Sequence, residues 1–155
     1  MSVLHCQGFL EALALLNSEA SDLCASYELR RLPEAPDLAT ALGLRVEDHA
    51  LRVIAPARDL PAALWHIKVV PCGRAQLEQV CQRWFFSSQH MQAAPAGRLR
   101  AQLVAAFLES LDAALGGFSL HAVTMTPPMW YAIHWDEIAF ERDGERYLLH
   151  FSHSD

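Results

Sequence analysis

Apolar and polar residues recur along this chain with two periods, and the change from one to the other falls near Gly117. Upstream, the spacing is mostly helical. From Val3 to Leu16 the apolar positions Cys6, Phe9, Leu10, Leu13 and Leu16 predict a helix, and a second helical stretch from about Ser21 to Leu32 continues it. Pro33 and Pro36 stop that run. Asp37 stands where it can cap a short helix through Leu42, ended by Gly43. Val46 to Ile54 reads as a strand, with Val46, Leu51, Val53 and Ile54 as its apolar members. Trp65, Ile67 and Val69 alternate and predict another strand, while a short helix from Asp59 with Pro61 in its first turn competes for that stretch. Two longer helices follow: Arg74 to Met91 carries the stripe Leu77, Val80, Cys81, Trp84 and Phe85. Leu99 to Leu115 carries Leu99, Leu103, Phe107, Leu111 and Ala114, closed by Gly116-Gly117. The short link Ala93-Ala94-Pro95 makes them a helical hairpin.

Downstream of Gly117 the period is 2. Phe118 to Thr126 is a strand and Thr126-Pro127-Pro128-Met129 a turn. Trp130 to Glu141 and Arg146 to His153 are strands flanking Arg142-Asp143-Gly144-Glu145, and Asp-Gly between alternating apolar runs signals a two-residue type I′ hairpin. With Asp143 and Gly144 as the turn, one face pairs Phe140 with Tyr147, Ile138 with Leu149, Asp136 with Phe151 and His134 with His153. The other pairs Glu141 with Arg146, Ala139 with Leu148, Glu137 with His150 and Trp135 with Ser152. The first face is expected to be core near the turn. The fold class is α+β: helices packed on an antiparallel sheet that ends in a C-terminal β-hairpin, as a single domain over residues 1–155.

That register places His134, Asp136 and His153 on one face, two imidazoles and a carboxylate within side-chain reach. They are a candidate for a metal triad or a His-Asp acid/base pair. His153 lies close to the chain end, and no H-E-x-x-H spacing accompanies it. The Glu137–His150 contact would raise the histidine pKa and contribute little if exposed. Cys72, near a helix start, could have its thiol pKa lowered, but no base accompanies it. There is no G-x-S-x-G elbow, P-loop or G-x-G-x-x-G, so neither an enzyme nor a bound cofactor is expected.

Composition changes the picture in two ways. Hydrophobic residues make up 52% and charged residues 19%, enough to bury a sizeable core with apolar surface left over. No stretch approaches the roughly 20 apolar residues of a membrane span. Met1 to Leu16 lacks a basic leader and carries Glu11, so it does not read as a signal peptide and the expected location is the cytoplasm. Cys6, Cys24, Cys72 and Cys81 form no C-x-x-C pair and are read as free thiols; on one unbroken helix Cys6 and Cys24 would stand about 27 Å apart. The charge is also unevenly placed. Residues 101–155 hold Glu109, Asp112, Asp136, Glu137, Glu141, Asp143, Glu145 and Asp155 against Arg142 and Arg146, so the whole net charge of −6 sits there. Nucleic-acid binding through a basic face is disfavoured, and a basic protein partner would be attracted.

Trp130, Tyr131, Trp135, Phe140, Tyr147 and Phe151 all belong to the hairpin. Either a helix covers its second face or these rings are available to a partner, Trp and Tyr being the usual anchors of interfaces. The ending Trp135-Asp136-Glu137-Ile138-Ala139-Phe140 and Tyr147-Leu148-Leu149-His150-Phe151-Ser152-His153-Ser154-Asp155 resembles the terminal strands of small bacterial immunity proteins, which neutralise toxins delivered by contact-dependent inhibition or related secretion systems. The resemblance implies a cytoplasmic, non-enzymatic protein that binds a toxin domain and blocks its active site, and the acidic, aromatic hairpin suits a basic nuclease toxin. On the residues themselves, Tyr131, Trp135, Asp136, Glu137, Glu141, Asp143 and Glu145 form the candidate partner surface. An adaptor or secretion chaperone is the remaining class.

Overall fold

The computed structural model describes residues 2–19, 22–53, 60–87 and 97–155. In chain order its elements are α1 (Val3–Glu19), β1 (Cys24–Arg31), α2 (Leu38–Val53), a 3₁₀ turn (Ala62–Trp65), β2 (Lys68–Pro71), α3 (Arg74–Phe85), α4 (Gly97–Leu115), β3 (Ser119–Thr124), β4 (His134–Arg142) and β5 (Glu145–Ser154). The strands form one antiparallel sheet in the order β1-β5-β4-β3-β2. The chain is α+β, with helices on an antiparallel sheet that ends in a C-terminal hairpin.

That hairpin has the register its sequence dictates, from Arg142 opposite Glu145 to His134 opposite His153. Asp143 and Gly144 take φ of 51° and 85°, the two positive values that a type I′ turn requires. One face of the sheet carries Ile138, Phe140, Leu149 and Phe151 together with Tyr27 and Leu29 of β1. It packs against Cys6 and Leu10 of α1, Leu77, Cys81 and Phe85 of α3, and Phe107 and Leu111 of α4. The opposite face presents Val123, Ala139 and Leu148 to Leu38, Ala41 and Leu42 of α2. A third apolar cluster joins Val46 and Ala50 of α2 to Trp65 and Tyr131. The sheet is thus covered on both sides, and the second-face aromatics are met by a helix.

Three sequence readings are corrected. Residues from about Ser21 to Leu32 were expected to be helical, but Cys24–Arg31 is a strand (Ser21 lies outside the described residues). Ala25, Tyr27 and Leu29 are buried alternately, and the Tyr27 ring meets Phe151 edge-on at 5.1 Å while its hydroxyl donates to the Trp84 carbonyl over 2.6 Å. Cys6 and Cys24 therefore lie on different elements, and all four cysteines are free. Second, Asp37 Oδ1 does accept the Thr40 N–H over 2.8 Å, but the helix it opens runs through Gly43 to Val53 and absorbs the expected strand of residues 46–54 (Ile54 is not described). Val46 and Ala50 are buried while Leu51 and Val53 are exposed, a helical stripe. Gly43 is no cap: a Cβ there would lie 2.9 Å from the Ala62 Cβ. Third, the stretch after Pro61 is both alternatives in turn, a 3₁₀ turn that buries Trp65 and then β2 (Asp59 is not described).

The stripes expected for α3 and α4 are largely buried, although Leu99 is exposed. Gly117, with φ 83°, closes α4 as expected. Met91 and the Ala93-Ala94-Pro95 link lie outside the described residues. Two ties to α1 complete the frame, since β1 is an edge strand. Ala25 N–H donates to Ser18 Oγ over 2.9 Å and Leu29 N–H to Gln7 Oε1 over 2.6 Å.

Candidate functional site

The β4–β5 hairpin opens, at the end away from its turn, on the His134–His153 pair. The last turn of α3 lies over it. Trp84 stacks on Phe151 with centroids 5.7 Å apart and meets His153 edge-on at 4.8 Å. The Trp84 indole N–H donates to Asp136 Oδ2 over 2.6 Å, and Arg83 donates to the same oxygen over 2.7 Å. His153 Nε2 lies 3.4 Å from Ser87 Oγ. Burial, and secondarily His134, push the His153 pKa below its ordinary value and favour the neutral ring. These side chains bound a groove of about 670 Å³ whose apolar walls are Trp84, Ile133 and Trp135. Ile133 is 40% exposed, and Trp130, three residues before it, is 59% exposed.

His134, Asp136 and His153 share this end as the register requires. Asp136, however, is engaged by α3, and among the described residues no three His, Cys, Asp or Glu side chains are grouped so as to hold a metal ion. At Cys72 burial pushes the thiol pKa up rather than down, which leaves it a poor nucleophile.

On the opposite face the Glu137–His150 pair is not an exposed contact. Both side chains are buried, to 1% and 8% exposure. Glu137 Oε1 accepts from Arg45 Nη1 over 2.7 Å, from the Tyr131 hydroxyl over 3.1 Å and from His150 Nδ1 over 2.9 Å. Arg45 Nη2 also donates to the Tyr131 oxygen over 2.9 Å. Burial alone would raise the Glu137 pKa; Arg45 and the His150 hydrogen bond outweigh it and hold the carboxyl down at about 2. Burial, reinforced by Glu137, raises the Tyr131 pKa, so its hydroxyl stays protonated. Above this network a polar cleft of about 220 Å³ lies between α2 and strands β1 and β5. His49, edge-on to Tyr131 at 5.0 Å, forms part of its wall; burial and then Arg45 lower its pKa.

The seven residues expected to form one partner surface are therefore dispersed. Tyr131 and Glu137 are buried. Trp135 and Asp136 belong to the groove. Glu141 is half-buried and accepts from Arg146 Nε over 2.6 Å. Asp143 and Glu145 are exposed at the turn, about 27 Å from Trp135 at the usual rise of a strand. Sequence reasoning missed Arg45 and His49, because it read a strand where α2 continues. The signal was the spacing of Arg45, Asp48, His49 and Arg52, which on a helix share one face.

No protein-family model matches this chain, and no curated protein does. Among solved structures, its fold is similar to that of citrus MAF1. One crystal structure superposes with a TM-score of 0.52 at 10% identity, covering 98% of both chains. A second crystal form gives 0.47 at 12% identity, covering 99% of this chain and 98% of that one. At such identity the likeness concerns the fold alone.

Proposed function

We propose that this chain is a cytoplasmic partner-binding protein that seats a segment of a basic toxin domain in the groove at the open end of the hairpin, acting as an immunity protein. The observation that carries this reading is the groove itself, an aromatic wall that is rigid on one side and exposed on the other. Trp84 is fixed between Phe151, His153 and the Asp136 carboxylate, so it offers a pre-organised surface that loses little freedom on binding. Ile133 extends that surface into solvent and Trp130, three residues before it, is exposed as well; Trp is among the usual anchors of an interface. The net charge of −6 favours a basic partner and speeds its encounter. The exposed acids Asp143 and Glu145 act at the distant turn, through long-range attraction rather than contact.

A tagged pull-down from the native organism, run in parallel with Trp130→Ala and Ile133→Asp, tests this. The wild-type chain is expected to retain one stoichiometric toxin-domain protein, and each variant to weaken that complex about 30-fold, the loss of a central anchor. Co-expression with the captured toxin should rescue growth for the wild type only. Undiminished binding by both variants would remove the groove from the interface, and a partner without toxicity would end the immunity reading.

A further inference from the structure

The second face holds a site that the groove does not use. Arg45 and Arg52 of α2, Arg30 of β1, and the two histidines His49 and His150 all line the polar cleft. Three carboxylates accompany them: Glu137 beneath, Glu28 on β1 and Asp48 on α2. Three arginines thus meet three carboxylates, with two imidazoles beside them. Arg45 is spent on Glu137 and Tyr131. Arg30 pairs with Glu28, and Arg52 with Asp48 over 2.9 Å. A guanidinium has five N–H donors, so both outer arginines have donors beyond those pairs, and each carboxylate is neutralised where it stands.

His150 supplies the second, independent observation. An ionised Glu137 can only accept, so the 2.9 Å contact fixes the proton on His150 Nδ1. The other ring nitrogen, Nε2, belongs to a side chain that is 8% exposed and lines the cleft. A ring that carries its proton on Nδ1 presents Nε2 as a hydrogen-bond acceptor.

We propose that this cleft binds a phosphate group, free or as a small phosphomonoester, held by the spare guanidinium donors of Arg30 and Arg52 and donating its P–O–H to His150 Nε2. The volume of about 220 Å³ admits the anion with a small substituent and not a polymer.

Histidine ring resonances followed by NMR on the whole chain test this, with inorganic phosphate, sulfate and glycerol phosphate as probes against a chloride control of equal ionic strength. Saturable shifts of His150 and His49 are expected with all three. Sulfate, which has no O–H to donate to Nε2, should bind about tenfold more weakly than phosphate. Arg52→Gln and Arg30→Gln alter exposed side chains, so they leave the fold intact; each should weaken binding about tenfold. Glycerol phosphate binding more tightly than phosphate would assign an ester ligand, and equal affinity would assign free phosphate. The absence of any saturable shift by about 10 mM phosphate, a very weak affinity, would overturn the proposal. So would shifts that both arginine variants leave unchanged.

Discussion

One carboxylate oxygen, Glu137 Oε1, accepts from donors on α2, on the segment before β4 and on β5. Buried charges of this kind cost little when every partner is present and a great deal when one is lost. Glu137→Gln is therefore expected to lose about 3 kcal/mol in chemical denaturation at pH 7, whereas Asp48→Asn, in an exposed pair with Arg52, should lose well under 1 kcal/mol. The pH dependence follows from the depressed value. The folded carboxyl titrates at about 2 against an ordinary 4.5, so the unfolded chain takes up the proton first. The contribution is complete above about pH 4.5 and disappears as pH falls toward 2. Wild-type denaturation midpoints should fall through that acid window, and Glu137→Gln should lack the fall. The turn rule alone placed Glu137 opposite His150. Arg45 and Tyr131 were not legible as their partners, because Arg45 is 92 residues away in sequence and no local period encodes such a contact.

Among the elements, legibility follows how local the specifying interaction is. The hairpin was readable pair by pair because Asp143-Gly144 fixes the register and alternation fixes the faces. α3 and α4 were readable from their apolar stripes. β1 and α2 were not: Ala25, Tyr27 and Leu29 become core only against β5 and Trp84, and Val46 with Leu51 and Val53 imitates a strand until Ala50 is counted as buried. Gly43 shows the same limit, since its role depends on Ala62. An alanine at Gly43 would gain up to about 1 kcal/mol of helix propensity. Its methyl would lie 2.9 Å from the Ala62 Cβ, and overpacking of that kind costs about 1–3 kcal/mol. Gly43→Ala is thus expected to lower the midpoint of thermal unfolding. In an Ala62→Gly background the same change should be neutral or stabilising, and a double-mutant cycle measures that reversal.

Over the whole molecule, the acidic C-terminal third is distributed rather than concentrated. Side chains alternate across β4 and β5, so neighbouring acids such as Asp136 and Glu137 emerge on opposite faces. One joins the groove and the other the buried network, and only Asp143 and Glu145 remain free acids at the turn. This is why a charge count along the sequence did not locate a surface. The two ends of the sheet have a further consequence for how the protein behaves when concentrated. An unpaired strand edge is a template for aggregation. β2 is short and carries Lys68 and Pro71, both poor templates. β1 is twice as long and is shielded instead by the Ser18 hydroxyl and the Gln7 amide, which occupy two of its outward N–H groups. A Gln7→Ala, Ser18→Ala chain should keep its fold yet scatter light and bind thioflavin T on prolonged incubation at concentrations where the wild type stays clear. α1 is then a guard against fibril growth as much as a wall of the core.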